Sequence, residues 1–305
     1  RRRRDYDIVH FHGASIPLLT SALLLKLMGK KIVAKVSSSG LGIEAGSFKG
    51  RYSILGKIFI SILKRVDAFV AISSTIESAL ISEGYPQGRI HRISNFVDMT
   101  VFKNSKASAD KRLGSSKENT EEKTVVFSGA LIDTKGVDVL LKAWQKVSES
   151  FSEARLSILG KGHDEEKLKA LAEELQLNNV EFTGEVDDVP RRLQRADIGV
   201  LPSFHEGMPN SLLEAMGSGL PVVATRISGV IDAVNDGVNG FIVTPGSVEE
   251  LAEALVKLLK DDLLLGKMGS EALNTICDNY SLEATTPKYI SLYERLTSKK
   301  TEKSL

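Results

Sequence analysis

Short apolar runs alternate with longer amphipathic segments over most of the chain. In the second half the runs predict strands at 124–128, 155–159, 180–183, 198–201, 222–224 and 241–244. Helical periodicity predicts helices at 137–149, 165–176, 189–195, 229–234, 248–260, 263–278 and 282–296. Strands that alternate regularly with helices form parallel, doubly wound sheets. The pattern therefore predicts an α/β protein.

The first part of the chain repeats this pattern over a shorter length. Strands are predicted at 7–12, 31–36, 67–72 and around 89–95, and helices at 17–29, 48–66 and 75–83. The segment 104–122 has no apolar period, which is typical of a linker. We therefore expect a first domain at 1–103, the linker at 104–122, a second domain at 123–280, and a final helix with a loose tail at 281–305.

The composition is that of a globular protein without disulfides or membrane spans. Hydrophobic residues make up 42% and charged residues 26% of the 305 residues, which suits two α/β domains. Cys277 is the single cysteine, as expected in a reducing compartment. No apolar run reaches the ~18 residues of a membrane span. We expect a cytoplasmic protein.

Charge is distributed unequally along the chain. Residues 1–103 carry 16 Lys and Arg against 7 Asp and Glu, whereas the remaining residues carry 24 against 32. A basic first part can face an anionic membrane, a phospholipid or a phosphorylated acceptor. Alternatively, the excess reflects chance together with the arginines at 1–4. The basic amphipathic helix at 48–66 leaves a similar choice, between a membrane surface and the face of a sheet.

The segment 198–225 combines a buried strand, a loop, a helix start and a second strand. Pro209 suits the helix start, where Asn210 and Ser211 can act as caps. Glu206 precedes the helix and Glu214 lies about one turn inside it. A helix start favours phosphate, and carboxylates accept hydrogen bonds from sugar hydroxyls, so this arrangement fits a nucleotide-sugar. The alternative is that both glutamates are capping or solvated charges.

The same segment resembles the E-x7-E signature of the family-4 retaining glycosyltransferases. The match comprises Glu206, Gly207, Pro209 and the Leu-Glu-Ala-Met run that contains Glu214. Members of that family are GT-B enzymes, in which two Rossmann-like domains face each other across a cleft. The resemblance implies two doubly wound parallel-sheet domains and a final helix that crosses back to the first. No glycine-rich loop precedes Asp5, so we expect an N-terminally truncated chain with an incomplete first domain.

The resemblance also assigns roles to individual residues. It implies that Glu206 approaches the donor sugar and that Glu214 binds the ribose. It implies further that backbone amides of the loop and helix start hold the diphosphate. The donor-binding residues expected on this basis are Gly129, Gly207, Met208, Pro209, Asn210, Ser211, Leu212 and Glu214.

A second match lies at 129–136, which resembles the family pattern G-R-L-x-x-x-K-G. Lys135 stands at the position of the lysine that neutralises the leaving diphosphate, but Ala130 replaces the arginine. We therefore expect Lys135 and Glu206 to be the catalytic residues, with less assistance to leaving-group departure. Ser37 stands where many members carry a histidine, so no general base is assigned. The turn at 160–162 can equally be structural or a ligand contact.

These observations predict a retaining glycosyltransferase that moves a hexose from a UDP-sugar or GDP-sugar to a glycan or lipid-linked acceptor. The resemblance places that reaction in envelope or exopolysaccharide synthesis, at the cytoplasmic side, with peripheral contact to an anionic membrane as a further expectation. We expect no cofactor, no metal and no nucleic-acid partner. The alternative, motivated by Ala130, Ser37 and the expected absence of the first strands, is a nucleotide-sugar-binding protein or inactive fragment without turnover. A dehydrogenase is disfavoured because no G-x-G-x-x-G follows a predicted strand.

Overall fold

A computed structural model describes residues 6–13, 16–37, 63, 65–102 and 122–298. The chain divides into two compact units. One contains the described residues up to Asn95 together with those from Glu283 onward, and the other contains the described part of Phe96–Leu282. Each unit is built on a sheet whose described strands are all parallel. The predicted class, α/β with two doubly wound parallel-sheet domains, is confirmed.

The first unit contains a four-stranded sheet in the order β1-β2-β3-β4. Its strands are β1 (Ile8–His12), β2 (Lys31–Val36), β3 (Ala68–Ala71) and β4 (Ile90–Arg92). The described helices that follow β1 and β3 are α1 (Ile16–Leu27) and α2 (Ser74–Ser82). Asp67 joins the two central strands, because its carboxylate accepts from Ile32 N at 2.7 Å and pairs with Lys26 of α1. The predicted helix at 48–66 lies almost wholly outside the described residues.

The second unit contains a six-stranded sheet in the order β10-β9-β8-β5-β6-β7. Its strands are β5 (Thr124–Ser128), β6 (Arg155–Leu159), β7 (Val180–Gly184), β8 (Ile198–Leu201), β9 (Val222–Thr225) and β10 (Gly240–Val243). Its helices are α3 (Val137–Ser150), α4 (Glu165–Glu174), α5 (Val189–Arg195), α6 (Asn210–Gly217), α7 (Val230–Ala233), α8 (Val248–Lys260) and α9 (Asp262–Thr275).

The core of the second unit lies between this sheet and the apolar faces of its helices. Trp144 of α3 is fully buried there, and its indole N–H donates to Asn179 Oδ1 at 3.0 Å. The buried side chains of β8, from Ile198 to Leu201, explain its continuous apolar sequence, because a strand covered on both faces needs no polar positions. Among the described helices of both units, none combines the length and apolar character needed to cross a membrane.

The last helix, α10 (Leu282–Thr297), packs on the first sheet. Leu292 is 1% exposed and belongs to the same apolar cluster as Val33 and Val70 of that sheet. The helix predicted at 263–278 is wrong at its end, since α9 stops at Thr275 and a π-helical turn, Ile276–Tyr280, follows.

The described residues 96–102 group with the second unit rather than the first. Val97 explains this, because its N–H donates to Tyr280 O at 2.8 Å and its carbonyl accepts from Leu282 N at 3.0 Å. Most of the predicted linker, 104–122, lies outside the described residues.

Candidate active site

The strand order of the second sheet reverses between β5 and β8. The strands that follow β5 lie on one side of it, whereas β8 and later strands lie on the other. Open parallel sheets bind ligands in the crevice that such a reversal leaves at the carboxyl ends of the strands. The loops at this point are 129–136, after β5, and 202–209, after β8. They carry Lys135 and Glu206.

Backbone contacts hold these two loops together. Gly136 has a left-handed backbone, with φ of 65°, and a Cβ added there would lie 2.3 Å from the carbonyl oxygen of Pro202. Nearby, Phe204 N donates to Thr134 O at 2.8 Å. Only glycine permits both the backbone angle and the close approach at position 136. The contact therefore places the short 3₁₀ turn Asp133–Lys135 beside the Glu206 loop.

Lys135 and Glu206 form an ion pair at this point. Lys135 Nζ donates to Glu206 Oε1, and the two side chains are 21% and 13% exposed. The same carboxylate oxygen accepts from Ser203 Oγ at 3.1 Å. Ser203 is fully buried, and its carbonyl accepts from the hydroxyl of Thr225 at the end of β9. Residues at the carboxyl ends of the neighbouring strands β8 and β9 thus support Glu206 through hydrogen bonds.

The helix start beside the pair differs from its prediction in one respect. Pro209 occupies the N-cap position with extended φ of −74° and ψ of 122°, and its own side chain makes no capping hydrogen bond. The expectation that Asn210 or Ser211 caps α6 is therefore wrong, because both lie inside the helix. The first-turn N–H groups of a helix have no intrahelical acceptor. At α6 those groups belong to residues 210–212, among which Leu212 has a buried side chain.

The loop before α6 is shaped by contact with the next loop of the sheet. Gly207 and Met208 meet Gly229, where φ is 77° and an added Cβ would lie 2.3 Å from Gly207 O and 2.7 Å from Met208 Cα. The side chains of Met208 and Pro209 are buried. Gly207 to Pro209 therefore contribute backbone, and little side-chain surface, to the site.

Glu214 lies on α6 and is half-buried. Burial raises the pKa of its carboxyl above the usual range. Within the described part of the chain its carboxyl group has no hydrogen-bond or ion-pair partner, in contrast to Glu206. A half-buried carboxylate without a partner is costly in free energy. A ligand with hydroxyl groups would supply the missing donors.

Gly129, which is predicted to contact the donor, makes a backbone hydrogen bond within the protein. Gly129 N donates to Leu159 O at 3.0 Å, so its amide is already used. The turn after β6 approaches the same loop, because a Cβ at Gly160 or Gly162 would lie 1.9 Å from the carbonyl oxygens of Gly129 or Leu131, respectively. The glycines at 160 and 162 therefore allow backbone packing that supports the Lys135 loop.

Two features of this site could not be identified from the sequence pattern. Ser203 and Thr225 form the buried support of Glu206, and each is an ordinary polar residue at a strand end. Gly229 precedes a short helix in the sequence, but only the structure shows that it provides the space for Gly207. Ala130, which the sequence already identifies as the replacement for arginine, is exposed in the loop after β5.

The carboxyl end of the first sheet carries a different group of side chains. His10 and His12 of β1 stack with ring centroids 4.8 Å apart, and His10 Nδ1 lies 2.8 Å from the Tyr293 hydroxyl of α10. Burial, together with the nearby charges of His12 and Lys35, lowers the pKa of His10 to about 4. Burial also lowers the pKa of Lys35. Ser37, the residue at the position of the family's histidine, is exposed after β2.

Comparison with known proteins gives matches over both units. The model of the family described as glycosyl transferases group 1 matches residues 109–275, and the model described as glycosyltransferase family 4 matches residues 1–101. An uncharacterized glycosyltransferase of Methanocaldococcus jannaschii is 28% identical over 309 residues, which cover 96% of this chain and 76% of the relative.

Two further matches are informative. A phosphatidyl-myo-inositol mannosyltransferase of Mycobacterium leprae is 29% identical over 306 residues, covering 96% of this chain and 75% of the relative. The crystal structure of Anabaena HepE in complex with UDP superposes with a TM-score of 0.80 at 20% identity, over 98% of this chain and 80% of that chain. The two parallel-sheet units and their glycine-rich strand ends therefore define a glycosyltransferase of the GT-B type. The chain belongs to the glycosyl transferases group 1 family, with a family-4 first domain.

Proposed function

We propose that the protein is a retaining glycosyltransferase that uses a UDP-sugar or GDP-sugar. The observation that carries this proposal is the Lys135–Glu206 ion pair, which lies at the strand-order reversal beside the start of α6. A nucleoside diphosphate presents negative charge to such a site, and a helix start with a nearby lysine stabilises it. UDP in the HepE crystal structure is consistent with this donor class.

The proposed binding mode uses each group according to its chemistry. The diphosphate lies at the first-turn amides of α6, within reach of the Lys135 ammonium group. Glu206 accepts hydrogen bonds from hydroxyls of the transferred sugar. Glu214, which has no partner among the described residues, accepts from the ribose hydroxyls. Its ionised form is then favoured when donor binds, because hydrogen bonds to a carboxylate lower its pKa.

In the chemical step the bond between the anomeric carbon and the β-phosphate oxygen breaks. Its electrons remain on the phosphate, where Lys135 and the amides stabilise the added charge. The acceptor hydroxyl attacks the anomeric carbon from the same face and forms the new glycosidic bond. Its proton passes to the departing phosphate oxygen, so no protein base is required. This stereochemical course retains the anomeric configuration and depends on positioning.

For the acceptor we propose a glycan or lipid-linked sugar of the cell envelope. The mannosyltransferase of Mycobacterium leprae, by its name, acts on phosphatidyl-myo-inositol, which supports an acceptor of the lipid-linked class. The excess of basic residues in 1–103 also favours an anionic acceptor or membrane surface.

Ala130 supports a second candidate function, which is donor binding without turnover. It is exposed in the loop that holds Lys135, and a loop with arginine there would offer a second cation to the diphosphate. Binding requires the amides, Lys135 and Glu214, whereas departure of the diphosphate also requires neutralisation of the charge that develops on it. The two functions therefore differ in whether an offered acceptor causes donor consumption.

The test is to incubate the protein with UDP-sugars and GDP-sugars and with lipid-linked or oligosaccharide acceptors. The proposal predicts release of one nucleoside diphosphate and a product with the anomeric configuration of the donor, measured by NMR. Glu206→Gln should abolish release while nucleotide binding persists. An inverted product would contradict the retaining mechanism, and binding with no release for any acceptor would favour the non-catalytic function.

A further inference from the structure

A polar cleft of about 300 Å³ lies in the second unit, at the amino-terminal ends of three strands. Its walls include Thr124, Arg155 and Val180, the first residues of β5, β6 and β7. Lys135 instead follows the carboxyl end of β5. Since β6 has five residues, a strand of this length separates the two ends of the sheet by roughly 16 Å. The cleft is therefore distinct from the site that holds Lys135 and Glu206.

Arginines of α5 form one wall of the cleft. Arg191, Arg192 and Arg195 all line it, and Arg192 Nε donates to Asp188 Oδ1 at 3.1 Å. Arg191 and Arg195 are exposed, and neither has an ion-pair partner in the described part of the chain. Residues four apart on a helix are neighbours on one face. The cleft thus presents two neighbouring arginines without an ion pair among the described residues, although Asp188 and Glu181 also line it.

The cleft is also lined by neutral and acidic side chains that can form hydrogen bonds. Ser157 and Glu181 extend from β6 and β7, and Asn178 lies just before β7. Arg155, at the rim, pairs with Glu122. The chain beyond residue 103 carries 24 Lys and Arg against 32 Asp and Glu. The three arginines of α5 therefore form a basic cluster in a part of the chain that is acidic on balance.

We propose that this cleft binds an anionic saccharide, meaning a glycan that carries carboxylate, sulfate or phosphate groups. Arg191 and Arg195 bind the anionic group, because the guanidinium fork donates paired N–H groups to carboxylate and to phosphate. Glu181, Ser157 and Asn178 bind sugar hydroxyls. This inference does not depend on the proposed donor site, since it uses no residue of that site.

The experiment measures fluorescence anisotropy of labelled oligogalacturonate and labelled dextran sulfate with the full chain, and of labelled neutral dextran as a comparison. We expect both charged saccharides to bind, with affinity that falls as salt rises, and neutral dextran not to bind. The double variant Arg191→Ala with Arg195→Ala should lower the affinity at least tenfold. The double variant with lysine at both positions should retain part of it.

A matched control removes the same charge elsewhere. Lys142 and Lys146 of α3 are about half exposed, with side-chain exposures of 49% and 51%, and alanine at both should change the affinity less than twofold. Lys135→Gln should also leave it unchanged. An equal loss in the α3 and α5 double variants would show general charge attraction and overturn the proposal. The proposal would also be overturned if neither charged saccharide bound, or if inorganic phosphate were the only one of these anions to bind.

Discussion

The carboxyl ends of the two sheets hold charged groups in opposite ways. At the second sheet Lys135 and Glu206 neutralise each other in an ion pair. At the first sheet His10 and Lys35 are half-buried near one another, and burial lowers the pKa of each. The carboxyl end of the second sheet therefore holds two oppositely charged side chains in contact, whereas that of the first sheet favours the neutral form of His10.

The backbone differs between these two ends as well. The loops of the second sheet touch at Gly136 and Gly229, where an added Cβ would lie 2.3 Å from a carbonyl oxygen. At the end of β1, an added Cβ on Gly13 would meet no described atom within 4 Å. Close packing fixes the positions of Lys135 and Glu206 before any ligand arrives. In the proposed mechanism, the Lys135 ammonium group that this packing positions would stabilise the leaving diphosphate.

The largest expected effect follows from removal of the lysine charge. Lys135→Gln should lower sugar transfer by about 100-fold or more, because a preorganised group that stabilises developing charge typically contributes this much. The measurement is the rate of nucleoside diphosphate release. The control is Lys146→Gln, which removes an exposed lysine that pairs with Glu249 at 3.1 Å. Equal rates in the two variants would contradict the assigned role of Lys135.

The backbone contact between the loops predicts a smaller, structural effect. Gly136→Ala should lower the free energy of unfolding by about 2–4 kcal/mol, through the left-handed backbone and the overlap with Pro202 O. Gly29→Ala is the matched control, since its φ is 73°, close to the 65° of Gly136, but no described atom lies within 4 Å of its added Cβ. We expect about 1 kcal/mol for the control. Similar losses in both, by chemical denaturation, would remove the case for close loop packing.

His10 of the first sheet predicts a dependence of folding stability on pH. Burial lowers the pKa of His10 from its usual 6.5 to about 4 in the folded chain, so the unfolded chain binds more protons between these pH values. His10 therefore contributes stability above pH 6.5 that is lost as the pH falls toward 4. Because the group is only half-buried, we expect a loss of about 1 kcal/mol.

His10→Asn should remove that part of the pH dependence. The measurement is chemical denaturation from pH 7 to pH 4, with His163→Asn as the control at an exposed position of the second unit. A wild-type chain whose stability is no lower at pH 4 than at pH 7, or a His10→Asn variant with an unchanged slope, would contradict this account.

The smallest effect concerns the hydroxyl that meets His10. Tyr293→Phe removes the 2.8 Å contact with His10 Nδ1 and should destabilise the first unit by about 1 kcal/mol. Tyr289 is the matched control, because its ring lies 5.8 Å from that of His10 while its hydroxyl has no hydrogen-bond partner among the described residues. Tyr289→Phe should change stability by less than about 0.5 kcal/mol. Equal losses would show that the hydrogen bond between His10 and Tyr293 contributes no stability of its own.

The sequence predicted the strands of the second sheet well, for a physical reason. The strands at 124–128, 155–159 and 198–201 have the predicted bounds, because their apolar residues are covered by other elements and each strand is followed by a glycine or a proline. The end of α9 was predicted less well, since the π-helical turn Ile276–Tyr280 continues a helical pattern with a different hydrogen-bond spacing.

The candidate site likewise contains features that the sequence predicted and features that only the structure shows. Lys135 and Glu206 could be identified from short sequence motifs. Their ion pair joins residues 71 positions apart, so no local pattern predicts it. The capping prediction for Asn210 and Ser211 failed because Pro209 occupies the N-cap position itself. The role of Ser203 depends on burial beneath Glu206, which only the assembled sheet creates. The ligand roles assigned to these residues stay predictions.

The most direct test of the central claim is thermal unfolding with UDP and GDP, each at about 100 times its dissociation constant. A bound ligand at that excess stabilises the folded chain by about 2.7 kcal/mol. We predict that one of these nucleotides raises the Tm of the wild-type chain and of Lys146→Gln, and that the increase is largely lost in Lys135→Gln. An equal increase in all three proteins would place the nucleotide elsewhere. No increase with either nucleotide, in a chain that unfolds cooperatively, would contradict a diphosphate site between the loops that hold Lys135 and Glu206.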